Sequence, residues 1–202
     1  MKRFLFCLII LLMASQAQAE KSILVWGDSL SAGHRLRTAP AWPNLLALKL
    51  ASEGYRYEVA NASIPGETTE GGKTRLPEAL RRLRPVILIL ELGTNDGKGL
   101  QPIPVMKSNL AEMIQAAQSE QVQVLILGMR LPFKPQSTYT QAFQNAFGEL
   151  AATYKTGLVP FFLETVFQHP DLLQDDGLHP TAEAQALILE AVWTGLKPLL
   201  RK

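Results

Sequence analysis

The chain has 202 residues, of which 47% are hydrophobic and 19% are charged, and it contains a single cysteine. This composition excludes a disordered chain and a disulfide-rich scaffold, and it predicts one globular domain with a sizeable core. Its formal net charge is only +2, from 20 Lys and Arg against 18 Asp and Glu.

The first 19 residues have the order of a secretory signal peptide. Lys2 and Arg3 precede an apolar run over residues 4–13, and residues 17–19 form an Ala-Gln-Ala cleavage site. The apolar run is shorter than the roughly 20 residues that a membrane span needs. We therefore expect cleavage after Ala19, with residues 20–202 exported as one domain to a bacterial periplasm or to the medium.

The mature chain's charge and lack of cysteine exclude several classes of function. Loss of the signal peptide removes two basic residues and Cys7, which leaves 18 basic against 18 acidic residues. A neutral chain has no general attraction to polyanions, so we expect no nucleic-acid partner and at most transient contact with a membrane surface. Disulfides and thiol chemistry are excluded. We expect a monomer or a weak oligomer.

Apolar runs alternate with helical patterns along the chain. The predicted strands are residues 23–26, 57–60, 86–92, 122–127 and 158–162. The predicted helices are residues 40–53, 76–83, 106–117, 137–154 and 180–200. Pro77 is expected to limit or bend the start of the second helix, and Pro180 to lie in the first turn of the last one. Because parallel strands need crossover helices, this alternation predicts an α/β fold, a three-layer α/β/α sandwich around a parallel sheet.

Small and polar residues collect in the loops where ligands bind to such a sheet, beyond the carboxyl ends of its strands. Four loops stand out: residues 27–33 (GDSLSAG), 61–68 (NASIPGET), 93–97 (GTNDG) and 175–180 (DDGLHP). At least the first three should open on one edge of the sheet. Ser29 in the first loop suits a turn, a phosphate-binding loop or a nucleophile, so its role must be decided from the rest of the chain.

A nucleophilic serine needs a base, a group that orients the base, and donors for the oxyanion. The chain has three histidines: His34, His169 and His179. His179 is placed at a predicted helix start, and Asp176 lies three residues before it. A carboxylate at this spacing can reach the imidazole within one tight turn, which makes His179 the favoured base and Asp176 its orienting group. Asp171 and Asp175 are weaker candidates.

Four blocks of sequence, GDSLSAG, NASIPGETT, ELGTNDG and DGLHPT, occur in the order seen in the SGNH hydrolases, also called GDSL esterases. The chain resembles the bacterial periplasmic branch of thioesterases, proteases and lysophospholipases in that family. The resemblance implies that Ser29 is the nucleophile, with Asp176 and His179 as its acid-base pair. It also implies three oxyanion donors, the backbone of Ser29 and Gly66 and the side chain of Asn95. A flavodoxin-like sheet of five parallel strands in the order 2-1-3-4-5 is implied as well.

The function favoured by this resemblance is that of a serine esterase. Its substrates would be carboxylic esters and thioesters of acyl chains, cleaved through an acyl-enzyme without a metal or an organic cofactor. Two alternatives stay open: a carbohydrate O-acetyl esterase with the same catalytic residues, and an exported binding protein without activity. A metal-dependent phosphoesterase is disfavoured, because the acidic residues and His179 lack metal-ligand spacing.

Four further expectations concern the surroundings of these residues. Asp28 and Asp96 are expected to anchor their loops. The loops 97–104 and 131–139 are candidates for the border of an acyl groove. Thr94 departs from the small residue that this branch often has, and it is expected to narrow the space beside the oxyanion hole. A basic cluster is expected to be a solvated helix face: Arg75, Arg81, Arg82 and Arg84.

Overall fold

The structure is a computed structural model, and it describes residues 21–36, 40–131 and 137–202. The predicted signal peptide and most of the loop 131–139 lie outside these ranges. None of the helices in the described ranges has both the length and the apolar composition of a membrane-spanning segment.

A five-stranded parallel sheet forms the centre of the molecule. Its strands are β1 (Lys21–Gly27), β2 (Tyr57–Asn61), β3 (Ile87–Glu91), β4 (Gln123–Leu127) and β5 (Gly157–Val159). They pair in the order β2-β1-β3-β4-β5, which confirms the predicted sheet. Every residue of β3 is buried, because this central strand is covered on both faces.

Helices cover both faces of the sheet and complete the predicted three layers. They are α1 (Ser29–Ala32), α2 (Trp42–Ser52), α3 (Thr69–Leu83), α4 (Thr94–Lys98), α5 (Ile103–Ser119), α6 (Thr138–Tyr154), α7 (Glu164–Phe167) and α8 (Gln185–Leu196). Helices α3, α5 and α6 pack side by side on one face, and α2 packs with α8 on the other. The core contains two tryptophans and three phenylalanines that are fully buried: Trp26, Trp42, Phe143, Phe147 and Phe162.

The second predicted helix is longer than the sequence suggested. Helix α3 begins at Thr69, well before Pro77, so the expectation that Pro77 limits its start is wrong. Pro77 lies inside the helix and removes the hydrogen bond that its own N–H would make, but the helix continues on both sides of it. The Thr68 side chain caps the start by accepting a hydrogen bond from Gly71 N. Leu76 and Leu80 bury the apolar face of the helix in the core.

The last helix is shorter than predicted, and Pro180 does not lie in its first turn. Helix α8 begins at Gln185. Pro180 instead forms an antiparallel bridge with Leu173, in which Gln174 N donates to His179 O at 2.7 Å. This backbone pairing holds the segment extended, so it cannot be helical. His179 therefore lies in a loop rather than at a helix start.

Candidate active site

The turn that carries Ser29 links the end of β1 to the short helix α1. Gly27 ends the strand, and the Asp28 side chain caps the helix by accepting a hydrogen bond from Leu30 N at 2.9 Å. Gly33 ends the helix with a φ of 76°, a left-handed conformation that favours glycine. Ser29 is thus the first residue of α1 and lies half-buried at the carboxyl edge of the sheet.

Ser29, His179 and Asp176 form a continuous chain of hydrogen bonds. The distance from Ser29 Oγ to His179 Nε2 is 2.8 Å, and that from His179 Nδ1 to Asp176 Oδ2 is 2.7 Å. A proton on Nδ1 that is donated to the carboxylate leaves the Nε2 lone pair free to accept from the serine hydroxyl. The structure therefore places a hydroxyl, an imidazole and a carboxylate in the arrangement that serine nucleophiles require.

Asp176 holds both the backbone and the ring of His179. Its Oδ1 accepts hydrogen bonds from Leu178 N at 3.0 Å and from His179 N at 2.9 Å, while its Oδ2 meets the ring. Burial opposes ionisation of this carboxyl, but the hydrogen bonds from His179 outweigh it and lower the pKa of Asp176 well below its ordinary value. Asp176 is therefore a carboxylate at neutral pH.

Asn95 joins three of the predicted loops at the edge of the sheet. Its Nδ2 donates to Glu67 O at 2.8 Å and to Asp28 Oδ2 at 3.2 Å. Gly66 precedes Glu67 in an exposed turn, with a φ of 81° and open space where a Cβ would lie. The predicted donors thus lie on loops that hydrogen bonds tie to the serine turn.

Similarity to known proteins identifies the family of this chain. A family model described as "GDSL-like Lipase/Acylhydrolase family" matches residues 25–187. The chain belongs to this family. It is therefore a GDSL-type serine hydrolase that acts on ester bonds.

Individual relatives are similar over nearly the whole chain. Esterase TesA of Pseudomonas aeruginosa is 47% identical over 195 residues, which is 96% of each chain. Thioesterase 1/protease 1/lysophospholipase L1 of Escherichia coli strain K12 is 37% identical over 194 residues, covering 96% of this chain and 91% of that protein. A crystal structure of TesA matches with a TM-score of 0.86 and 46% identity, over 89% of this chain and 100% of that one.

Arg75 supports the Gly66 loop of this GDSL hydrolase, a role that sequence reasoning missed. Its Nε donates to Glu67 Oε2 at 2.6 Å, and its guanidinium lies 4.0 Å from the centroid of the Trp26 ring. The expectation of a solvated helix face is therefore wrong for Arg75. The separation of eight positions between Glu67 and Arg75 gave no signal, since the chain turns from loop into helix between them.

The other two histidines occupy different places. The His34 ring lies against that of His179, with centroids 4.3 Å apart and planes tilted by 36°. Burial and the neighbouring His179 lower the pKa of His34. His34, Asp176 and His179 offer nitrogen and oxygen atoms within 4.8 Å of one another, but both ring nitrogens of His179 already have partners. His169 is exposed after α7.

The two aspartates expected to anchor loops do so. Asp28 caps α1, as described, and Asp96 accepts hydrogen bonds from both the backbone N and the hydroxyl of Thr69, which ties α4 to the start of α3. Burial raises the pKa of Asp28 to about 7, although the Leu30 N–H and the charge of Lys98 act in the opposite direction. Both side chains are thus buried parts of the scaffold under the site.

The remaining expectations concern the rim of the site. Thr94 begins α4 and is buried, with 2% of its surface exposed. In the loop 97–104, Leu100 is 62% exposed and adopts a φ of 53°. Residues 132–136 of the other loop lie outside the described ranges. An acyl groove between these loops, and a narrowing by Thr94, stay predictions.

Proposed function

We propose that this protein is an exported serine esterase that hydrolyses esters and thioesters of acyl chains through an acyl-enzyme on Ser29. The observation that carries the proposal is the hydrogen-bonded chain from Asp176 through His179 to Ser29. In the first step His179 Nε2 takes the hydroxyl proton as Ser29 Oγ attacks the acyl carbonyl carbon. Asp176 keeps the ring in the required tautomer and stabilises the imidazolium.

The negative charge that develops on the carbonyl oxygen needs donors. We assign them as the backbone N–H groups of Ser29 and Gly66 and the side-chain amide of Asn95. The hydrogen bond from Asn95 Nδ2 to Glu67 O fixes the plane of the amide. The hydrogen bond from Asn95 Nδ2 to Asp28 Oδ2 is longer, so the amide hydrogen in it can be shared with the oxyanion. The tetrahedral intermediate then collapses to an acyl-enzyme.

His179 completes both halves of the reaction. As the intermediate collapses, the imidazolium returns its proton to the leaving alcohol or thiol, which departs from the site. A water molecule then takes the place of the alcohol, loses a proton to His179 and attacks the acyl carbon. Collapse of the second intermediate returns that proton to Ser29 Oγ and releases the carboxylic acid.

Similar proteins and the N-terminal sequence support the substrate class and the location. The names of the relatives, an esterase and a thioesterase/protease/lysophospholipase, support acyl chains bound through oxygen or sulfur. The signal-peptide pattern over residues 1–19 supports export to the periplasm. Coenzyme A thioesters are scarce outside the cytoplasm, so the proposed substrates there are lipids and small esters.

The decisive experiment measures hydrolysis of p-nitrophenyl esters from acetyl to palmitoyl by the purified protein and its Ser29→Ala variant. We expect Ser29→Ala to lower kcat by about 10⁶-fold. Ser52→Ala, which changes a serine exposed at the end of α2, should leave the rate unchanged. Full activity of Ser29→Ala would refute the nucleophile. A preference confined to acetyl groups would instead favour the carbohydrate O-acetyl esterase.

A further inference from the structure

A carboxyl group to which the proposed reaction assigns no chemical step lies buried directly behind the serine turn. Glu91 ends the central strand β3 and has no exposed surface. It pairs in register with Gly27, the last residue of β1. A carboxyl in the core is costly unless its oxygens meet hydrogen-bond donors, so its contacts show what keeps it there.

Both donors to this carboxyl come from the serine turn, one on each side of Ser29. Glu91 Oε2 accepts a hydrogen bond from Ser31 Oγ at 2.7 Å and one from Asp28 N at 3.3 Å. Its other oxygen, Oε1, is buried with no partner among the described groups. The carboxyl thus ties the start of α1 to the middle of the sheet.

Gly27 leaves the space that this contact needs. A Cβ at position 27 would lie 2.6 Å from Glu91 Oε2 and 2.9 Å from Ser31 Oγ. Such distances are too short for non-bonded atoms, and both neighbours are buried. The glycine at the end of β1 therefore allows the carboxyl and the serine turn to meet.

We infer that Glu91 is a positioning residue for the proposed reaction. By fixing the N–H of Asp28 and the hydroxyl of Ser31, it sets the direction in which α1 leaves β1. That direction places Ser29 Oγ at hydrogen-bond distance from His179. The inference rests on the proposed role of Ser29 as the nucleophile.

The surroundings of Glu91 favour a neutral carboxyl. Burial raises its pKa well above the ordinary value, and the nearby Asp28 carboxyl raises it further, while the bonds from Ser31 and Asp28 N act in the opposite direction. Beyond Asp28 lie Asp96 and Lys98, whose charges act on Asp28 with opposite signs. In a neutral carboxyl, Oε2 accepts both hydrogen bonds as a carbonyl oxygen, and Oε1 carries the proton.

The first test compares kcat and KM for Glu91→Gln and Glu91→Ala. Glutamine keeps the shape and a carbonyl oxygen at the position of Oε2, so we expect its kcat to stay close to that of the wild type. Alanine removes the acceptor and should leave the nucleophile misplaced. We therefore expect kcat to fall by about 10²-fold at an unchanged KM. Ile87→Ala, at the other end of the same buried strand, should destabilise the fold and keep kcat.

The second test follows the melting temperature of the wild type and Glu91→Gln from pH 5 to pH 8. A glutamate ordinarily releases its proton near pH 4.5, whereas burial raises the pKa of folded Glu91 well above that value. Wild-type stability should therefore fall as the pH rises above that value, and Glu91→Gln lacks this contribution. We expect the melting temperature of Glu91→Gln, relative to that of the wild type, to rise with pH.

Each part of the inference has an outcome that would overturn it. Wild-type kcat in Glu91→Ala would refute the positioning role, and a relative melting temperature that is constant or falls with pH would refute the neutral carboxyl. If Glu91→Ala does not fold, Ser31→Ala replaces it, and we expect a loss of about fivefold in kcat for one hydrogen bond. Activity that survives in Ser29→Ala would refute the proposed function instead, and the pH series would still report on Glu91.

Discussion

The turn that carries Ser29 and the loop that carries His179 hold their side chains in different ways. The serine turn is anchored in the core, where Asp28 and Glu91 are both fully buried. The histidine loop, residues 174–181, is anchored at the surface by Asp176, whose side chain is one third exposed. The Ser29 side of the site therefore depends on the folded sheet, whereas the His179 side depends on a loop whose hydrogen bonds lie mostly within the loop.

The histidine loop makes most of its hydrogen bonds locally. Asp176 accepts all three of its bonds from Leu178 and His179. The Gln174 side chain donates to Pro180 O at 2.8 Å, and it also reaches His34 O at 2.9 Å, next to the serine turn. We therefore expect changes in this loop to abolish activity at little cost in stability, and changes under the serine turn to affect both.

The largest effect that tests this comparison is expected from Asp176→Asn. The amide oxygen can still accept the backbone hydrogen bonds, but its NH₂ group faces His179 Nδ1 and favours the wrong tautomer. We expect kcat to fall by about 10⁴-fold, while the free energy of unfolding falls by about 1–2 kcal/mol, less than the cost of truncating a core side chain. Steady-state kinetics and denaturant unfolding check the two numbers.

Asp175→Asn is the matched control, because it removes the same charge from the exposed neighbour. Its kcat and stability should equal those of the wild type. If Asp176→Asn unfolded as readily as a core variant, the histidine loop would not be a locally stabilised element. A kcat within tenfold of the wild type would remove Asp176 as the orienting group.

A smaller effect is expected from Asn95→Ala, which acts on the side of the site that the core supports. The change removes one assigned oxyanion donor, so we expect kcat to fall by about 10²–10³-fold. It also breaks the bonds to Asp28 and Glu67, and the protein should lose about 1 kcal/mol of stability. Kinetics and thermal unfolding of the same preparation separate the two losses.

Asn109→Ala controls for the loss of stability alone. Asn109 is buried in α5 and donates to Thr69 Oγ1 at 3.2 Å, so its removal also breaks an amide hydrogen bond. We expect a similar loss of stability with kcat retained. Turnover near the wild-type rate in Asn95→Ala would refute the donor assignment.

The sequence predicted best the elements whose patterns are set by burial. The run from residue 86 to residue 92 is continuously apolar up to Glu91, and it forms the central strand. The order of the strands came from the family resemblance, since periodicity does not determine which strands are neighbours. Pairing between distant parts of the backbone could not be predicted from local sequence. Pro180 is typical of a helix start, but its bridge to Leu173 prevents a helix there.

The site shows the same division between local and distant information. The contact between Asp176 and His179 could be predicted from their spacing, because it lies within one turn. The roles of Glu91 and Arg75 were not, because each depends on a partner brought close by the folded sheet. A charged residue that ends an otherwise apolar strand was the signal available for Glu91.

The smallest effect on kcat is expected from Gly66→Ala, in a loop that belongs neither to the core nor to the histidine loop. Gly54, which follows α2, provides the matched control. Both glycines have a positive φ, 81° and 76°, and a Cβ on either would meet open space. Gly66→Ala and Gly54→Ala should therefore each lose about 1 kcal/mol of stability from backbone strain alone. Only Gly66→Ala tilts an assigned oxyanion donor, and we expect its kcat to fall by about tenfold because the N–H is displaced rather than removed. Equal kcat in the two variants would show that the Gly66 N–H does not contact the oxyanion, and the donors would then lie only on the turns supported by the core.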